Sequence, residues 1–221
     1  VLANAAGTAE APMDVTLAFE GGLSYEIDEI VIPEGIGNLY FSGNIVNGKN
    51  PLLKMSKFTF SAPMGNFYVQ YMDILSNGGS QFLVEIGNGN CFTNITFEGC
   101  TVSDVPRSVI RMNSNDAMAE SININNCILK NIGLSGYGLL NIGKAGALNS
   151  ISITDCTLWE IGDQIIDLRV ALSEFEFSNC TFYNNVTSIP KMFRLDKQPK
   201  VIIVTNCIFS GANGGSKVNS G

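Results

Sequence analysis

Five positions at a near-constant interval carry much of the charge chemistry of this chain: Glu85, Arg111, Asn141, Asp167 and Arg194, separated by 26, 30, 26 and 27 residues. Two places further along the same recurring phrase stand Gly87, Asn113, Gly143, Arg169 and Asp196. Three of the four arginines of the chain fall in this phrase, together with three carboxylates. Arg111, Asp167, Arg169, Arg194 and Asp196 are therefore the candidate catalytic residues. An arginine can neutralise an anionic substrate group, and a pair of carboxylates with divided pKa values can work as acid and base. The plainer chemistry of the same residues is cross-strand ion pairing, Glu85 with Arg111, Asp167 with Arg194 and Arg169 with Asp196, at ~0.2–1 kcal/mol a pair. The sequence contains no histidine. That excludes His-based triads, His metal sites and histidine switching.

The phrase that carries these residues reads FLVEIG at 82–87, SVIRMN at 108–113, GLLNIG at 138–143, QIIDLR at 164–169 and KMFRLD at 191–196. A second phrase keeps the same beat: FEGCTV ending at Val102, then NNCIL, TDCTL, SNCTF and TNCIF. Its cysteines are Cys100, Cys127, Cys156, Cys180 and Cys207, at steps of 27, 29, 24 and 27. Weaker copies at 69–75 and 39–44 place Ile74 and Asn44 in the cysteine column. Both phrases alternate with a period of two, as strands with one buried face do. They are short and bounded by Asn, Asp, Gly and Ser, the residues of tight turns. No helical segment separates them, so a βαβ crossover is excluded. Two or three short strands repeated every 24–30 residues describe one coil of a parallel β-solenoid. The leucine-rich pattern is absent, and a propeller blade needs about 40 residues.

Stacked coils turn sequence positions into columns. The predicted corner column is Gly43, Asp73, Gly99, Asn126, Asp155, Asn179 and Asn206, all of residue types that tolerate left-handed backbone. The cysteine beside it is a buried small apolar group. Neighbouring coils lie about 4.8 Å apart, so bridges are sterically conceivable, but a column set by packing favours free thiols. Cys91 falls outside the column. The longer excursions are expected at 43–57 and 113–119.

On these phrases the chain resembles right-handed parallel β-helix proteins of the pectate-lyase-like superfamily, and within it uncharacterised secreted proteins of gut Bacteroidetes. Residues 2–6 resemble the end of a capping helix, and 15–44 resemble an opening coil. The resemblance implies an all-β, single-stranded, right-handed parallel β-helix of about seven coils of about 27 residues, with a cap over 1–14, coils over 15–210 and a mobile polar tail over 211–221. It also implies that an enzymatic site would lie on the outer face of one sheet, here that of 82–196. A uronate lyase would need Ca²⁺ or arginine against the substrate carboxylate, and a base. Arg111, Arg169 and Arg194 could serve, but no cluster of acids offers the six to eight oxygens Ca²⁺ takes. No metal and no cofactor is expected. A glycosidase would need Asp167 and Asp196 as a pair about 8 Å apart, yet each has an arginine neighbour that holds it ionised.

Other columns point elsewhere. Three places after the column cysteines stand Ser103, Lys130, Trp159, Tyr183 and Ser210. Trp159, the only tryptophan, with Tyr183 one coil above and Lys130 beside it, is the predicted sugar platform. Leu83, Val109, Leu139, Ile165 and Met192 form an apolar column expected to face outward. It would then be covered by the chain's own loops, by another domain or by a partner protein. Net charge is −7, which argues against nucleic acid and anionic membrane as partners. No stretch is apolar for long enough to insert in a membrane. Sequons stand at Asn94, Asn179 and Asn185. No signal segment is read in the sequence, as expected of either a mature or a truncated secreted chain. The leading expectation is a secreted or cell-surface, non-catalytic scaffold that binds polysaccharide or adheres. A polysaccharide lyase or glycosidase on the 82–196 face is the alternative, and a structural module of a larger surface protein the third.

Overall fold

Asn, Asp and Gly between short alternating segments allow the chain to turn without a helix, and in the computed structural model the segments pair as parallel strands throughout. The structure describes residues 2–87, 89–133, 137–162, 164–184, 192–210 and 219–220. The strands form three eight-stranded sheets, each strand paired with those three elements before and after it. This is a parallel β-solenoid of about seven turns, as the repeat predicts. One rung runs through Cys91–Glu98 in sheet 1, Thr101–Ser103 in sheet 2 and Ser108–Asn113 in sheet 3. The next, Met118–Asn125, Ile128–Ile132 and Leu140–Lys144, lies directly upon it, with Ile95 against Ile122 and Val102 against Leu129. A short helix, Leu2–Ala5, buries Leu2 at one end of the core, and the first strand begins at Met13.

The corner between sheets 1 and 2 is left-handed in rung after rung. Gly99, Asn126, Asp155, Asn179 and Asn206 have φ of +52° to +61°. In the preceding rung the corner is Tyr71 (φ 54°), not Asp73. Asp73 instead begins a strand and pairs with Thr101. The ring of Tyr71 explains the glycine above it: a Cβ on Gly99 would stand 2.6 Å from Tyr71 Cδ1. The correction moves the next position too. Met72, fully buried, holds the place of Cys100, while Ile74 lies in register with Val102. Asn44 likewise is not in the cysteine column: it ends the strand Ile36–Asn44. A loop with a Val46–Lys49 bridge follows, and Pro51 accepts from the Asp73 amide. Half of the excursion expected at 43–57 is strand, Leu52–Met55 with Lys57–Phe60 beyond it.

The column cysteines are free thiols, four of them buried and Cys207 half-buried. They also close hydrogen bonds at the corner. Cys100 N–H donates to Cys127 Sγ, and Cys127 N–H to Cys156 Sγ, both at 3.4 Å. In return Cys100, Cys127, Cys156 and Cys180 donate S–H to the carbonyls of Val69, Phe97, Ile124 and Ile153 in the rung before. A thiol is small enough to sit at the bend and still supplies a weak donor and acceptor. Hydrogen bonding to neighbouring thiols, and then burial, pushes Cys127 and Cys180 above the usual thiol range.

The core is one continuous cluster, and it contains the column expected to face outward. Leu83, Val109, Leu139 and Ile165 are 0% exposed and Met192 4%. The alternation breaks at this corner. Leu83 and Val84 both join the core, whereas Phe82 is buried outside it, against Tyr137 and Arg111. The apolar column therefore leaves water within the chain itself, without a second domain or partner. The tail expected at 211–221 lies outside the described residues except for Asn219–Ser220, a strand paired with Phe193–Leu195.

A thiol-titration experiment checks this arrangement. In the native protein no more than Cys91 and Cys207, the two half-buried thiols, should react quickly with an aromatic disulfide reagent, and all six should react after unfolding in denaturant. Cys127→Ala, which removes the acceptor for the Cys100 amide and leaves a void, should lower stability by about 1–3 kcal/mol in thermal or denaturant melts.

Candidate functional site

Parallel stacking brings every catalytic candidate to the outer face of sheet 3. The register Glu85–Arg111–Asn141–Asp167–Arg194 is as predicted from spacing. At its centre Asp167 is only 6% exposed, an unusual place for a carboxylate. Its neighbours account for it. Arg169 donates Nε to Oδ1 at 3.0 Å and Nη2 to Oδ2 at 2.7 Å. Asn141 Nδ2 donates to Oδ2 at 3.2 Å, and Arg194 Nε lies 3.7 Å from Oδ1. Arg194 in turn forks onto Asp196, with Nε and Nη2 at 2.8 and 2.9 Å. The expected partition of ion pairs is corrected here. Arg169 clamps Asp167 two residues before it, and the principal partner of Asp196 is Arg194. Residues two apart on a strand share a face, so the fork closes within one strand as readily as across two. Glu85 and Arg111 pair as expected, at 3.3 Å. The carboxylates raise Arg169 and Arg194 above the ordinary guanidinium range, through hydrogen bonds to Asp167 and Asp196 respectively.

This network determines what the face can do. General acid catalysis needs a carboxyl that is protonated near neutrality. Asp167 and Asp196 each accept a two-point hydrogen bond from a guanidinium, so their oxygens are engaged by arginine rather than presented to a substrate. An arginine engaged in a fork is equally poor as a base. The geometry is that of a charge ladder over five rungs, joined as Glu85–Arg111 and as Asn141–Asp167–Arg194. Among the described residues, no group of three or more Cys, Asp or Glu side chains could hold a metal ion.

The outer face of sheet 2 presents a different surface. Ser103, Lys130, Trp159, Tyr183 and Ser210 lie in one register. Trp159 is 42% and Tyr183 51% exposed, their ring centroids 6.5 Å apart at an interplanar angle of 60°. Lys130 is half-buried beside them. Spacing thus brings together all three residues of the predicted platform. Sequence reading missed the next column. Asp104, Asn131, Glu160 and Asn184 follow the platform residues by one place and are all left-handed, with φ of +50° to +61°. Their side chains are linked, Asn131 Nδ2 to Asp104 Oδ1 at 2.9 Å and Asn184 Nδ2 to Glu160 Oε1 at 3.2 Å. The signal was present as Asp, Asn, Glu and Asn at cysteine-like steps, but glutamate is not a turn residue by type. Glu160 in this conformation is a strained position, next to Trp159.

Elsewhere the surface is occupied. On sheet 1 the amides form their own ladder: Asn66 N–H donates to Asn38 Oδ1 at 2.7 Å and Asn94 Nδ2 to Asn66 Oδ1 at 2.6 Å. The sequons at Asn94 and Asn179 therefore use their side-chain amides within ladders. Asn185 lies outside the described residues. Cys91 lines an apolar groove of about 740 Å³ at the corner between sheets 3 and 1, with Met64, Phe92 and Met118. No helix among the described residues is long and apolar enough to cross a membrane.

Residues 42–161 match the model of a family described as a domain of unknown function, DUF4957. No curated protein and no solved structure matches the chain.

Asp167→Ala is the sharpest test of the charge ladder. It leaves Arg169 and Arg194 without their shared acceptor, but both guanidinium side chains are about two-fifths exposed and can turn to water. Stability should fall by about 1–3 kcal/mol. Glu85→Ala, at the exposed end of the ladder, should change it by less than about 1 kcal/mol. Equal effects in denaturant melts would refute the central role of Asp167.

Proposed function

The chain belongs to the DUF4957 family, and we propose that this solenoid is a non-catalytic scaffold that binds a polysaccharide, on the secreted or cell-surface side, through the outer face of sheet 2. One observation carries the reading: two exposed aromatic rings on successive rungs, flanked along the same axis by the Asp104–Asn131–Glu160–Asn184 ladder. Sugar rings present apolar faces edged by hydroxyls, and an aromatic ring next to planar carboxylates and amides complements both. The glycan would run along the solenoid axis, because Trp159 and Tyr183 follow one another in that direction. Lys130, one rung away from Trp159, supplies a further donor. The resemblance to right-handed β-helices of the pectate-lyase-like superfamily supports an extracellular glycan as ligand. The lyase and glycosidase alternatives find no support in the ion-paired face of sheet 3, where Asp167 and Asp196 are each engaged by an arginine.

Native electrophoresis through gels containing a panel of neutral polysaccharides tests the proposal. Retardation by one glycan, without clearing of the polymer around the band, is expected. Trp159→Ala should abolish most of the retardation while leaving the melting temperature within a few degrees, since the ring is largely outside the core. Clearing of the gel would replace the proposal with an enzymatic one. Unchanged retardation in Trp159→Ala would move the site off this face.

A further inference from the structure

All four arginines of a chain with net charge −7 stand on or beside the outer face of sheet 3. Three are engaged with carboxylates there. The fourth, Arg107, immediately precedes the strand Ser108–Asn113 and has no acidic partner among the described residues. Its guanidinium carbon lies 4.5 Å from the centroid of the Tyr137 ring. Tyr137 meets Phe82 edge-on at 5.9 Å, and Arg111 covers Phe82 with its guanidinium carbon at 4.5 Å. The result is a continuous array, Arg107–Tyr137–Phe82–Arg111, with a cation stacked at each end. Phe82 lies on the outer side because the alternation breaks at this corner, so the array exists only in the folded chain.

Two further features mark the same place. Among the described residues, the buried side-chain nitrogen and oxygen atoms without a hydrogen-bond partner are Ser108 Oγ and Arg111 Nε. Both belong to one strand of this array, and both are donors. Buried donors are ordinarily paired. Arg111 is also held loosely: its single carboxylate contact is to Glu85 at 3.3 Å, and the Glu85 side chain is half exposed. Stacking on a ring fixes the plane of a guanidinium and leaves its N–H edge free to fork onto an oxyanion.

We propose that the Arg107–Tyr137–Phe82–Arg111 array binds an oxyanion substituent, a sulfate or carboxylate group carried on a polymer. Arg107 supplies an uncompensated charge. Arg111 exchanges its one contact with Glu85 for the ligand, and a turn of its side chain brings the orphaned Nε into that bond. The long-range field of the chain repels polyanions, so retention of one reports these local contacts. The site is separate from the aromatic face of sheet 2, and the two proposals stand or fall independently.

The test is electrophoresis of the full chain through gels containing dextran, dextran sulfate or polygalacturonate. Retardation by dextran sulfate or polygalacturonate and not by dextran is expected, and which of the two retards identifies sulfate or carboxylate. Arg107→Gln and Arg111→Gln should each weaken retention about tenfold, and Lys49→Gln, which removes an exposed cation away from this face, should leave it unchanged. For the unaltered protein, inorganic sulfate should release the band while sodium chloride of equal ionic strength does not, a readout that needs no variant to fold. The proposal is overturned if neither anionic polymer retards the protein. Equal retention in both arginine variants, or equal release by sulfate and chloride, overturns it as well.

Discussion

A left-handed residue at one corner of successive rungs is the constraint on which the rest of this structure depends. With φ near +55° at Asn126, Asp155, Asn179 and Asn206, the chain leaves sheet 1 and enters sheet 2 without a loop. Each corner amide then reaches the next rung: Asn126 N–H donates to Thr154 O and Asp155 N–H to Ser178 O. The turn is thus paired along the axis as the strands are. Left-handed backbone is unfavourable for most side chains, which restricts the corner to Asn, Asp and Gly. Tyr71 is the exception, and Gly99 above it leaves room for its ring.

The cysteines follow from that turn. The residue after the corner points into the core where the backbone bends, so its side chain must be apolar, Met72 in the earlier rung and cysteine in the later ones, and the adjacent peptide groups need partners. A thiol meets both needs. An alanine would not bond, and a serine would bring a more strongly hydrated hydroxyl into the core. Five cysteines at this spacing therefore describe packing rather than a disulfide framework. Phenylalanines fill other parts of the core: Phe41, Phe58 and Phe67 meet edge-on, as do Phe175, Phe177 and Phe182.

Columns govern the outside as well, because parallel register places equivalent residues one rung apart. On sheet 3 this alignment joins arginines and carboxylates into a ladder in which Arg169 and Arg194 are engaged by Asp167 and Asp196, and Asp167 is buried by it. On sheet 2 the same alignment leaves Trp159 and Tyr183 without cover. The contrast between the two faces is what supports the proposed binding role. One set of polar groups is consumed internally, while the aromatic rings face water with amides and carboxylates beside them.

The period, the parallel register and the corner and cysteine columns from Gly99 onward were readable in the sequence, because alternation and a repeat of about 27 residues are local properties. The free thiols and the grouping of Arg111, Asp167, Arg169, Arg194 and Asp196 followed from the same arithmetic. The early rungs were less readable. Tyr71 and Met72 stand where Asn and Cys stand later, so the column had to be located by contacts. The inward turn of Leu83, Val109 and Leu139 was invisible for a related reason: two successive residues enter the core where the chain bends, and a strict period of two places one of them outside. Partner choice within the charge ladder, the second left-handed column at Glu160 and the stacking of Arg107 on Tyr137 were likewise decided only by tertiary structure. Spacing assigns a residue to a face, but which neighbour a long side chain reaches depends on the space that folding leaves around it.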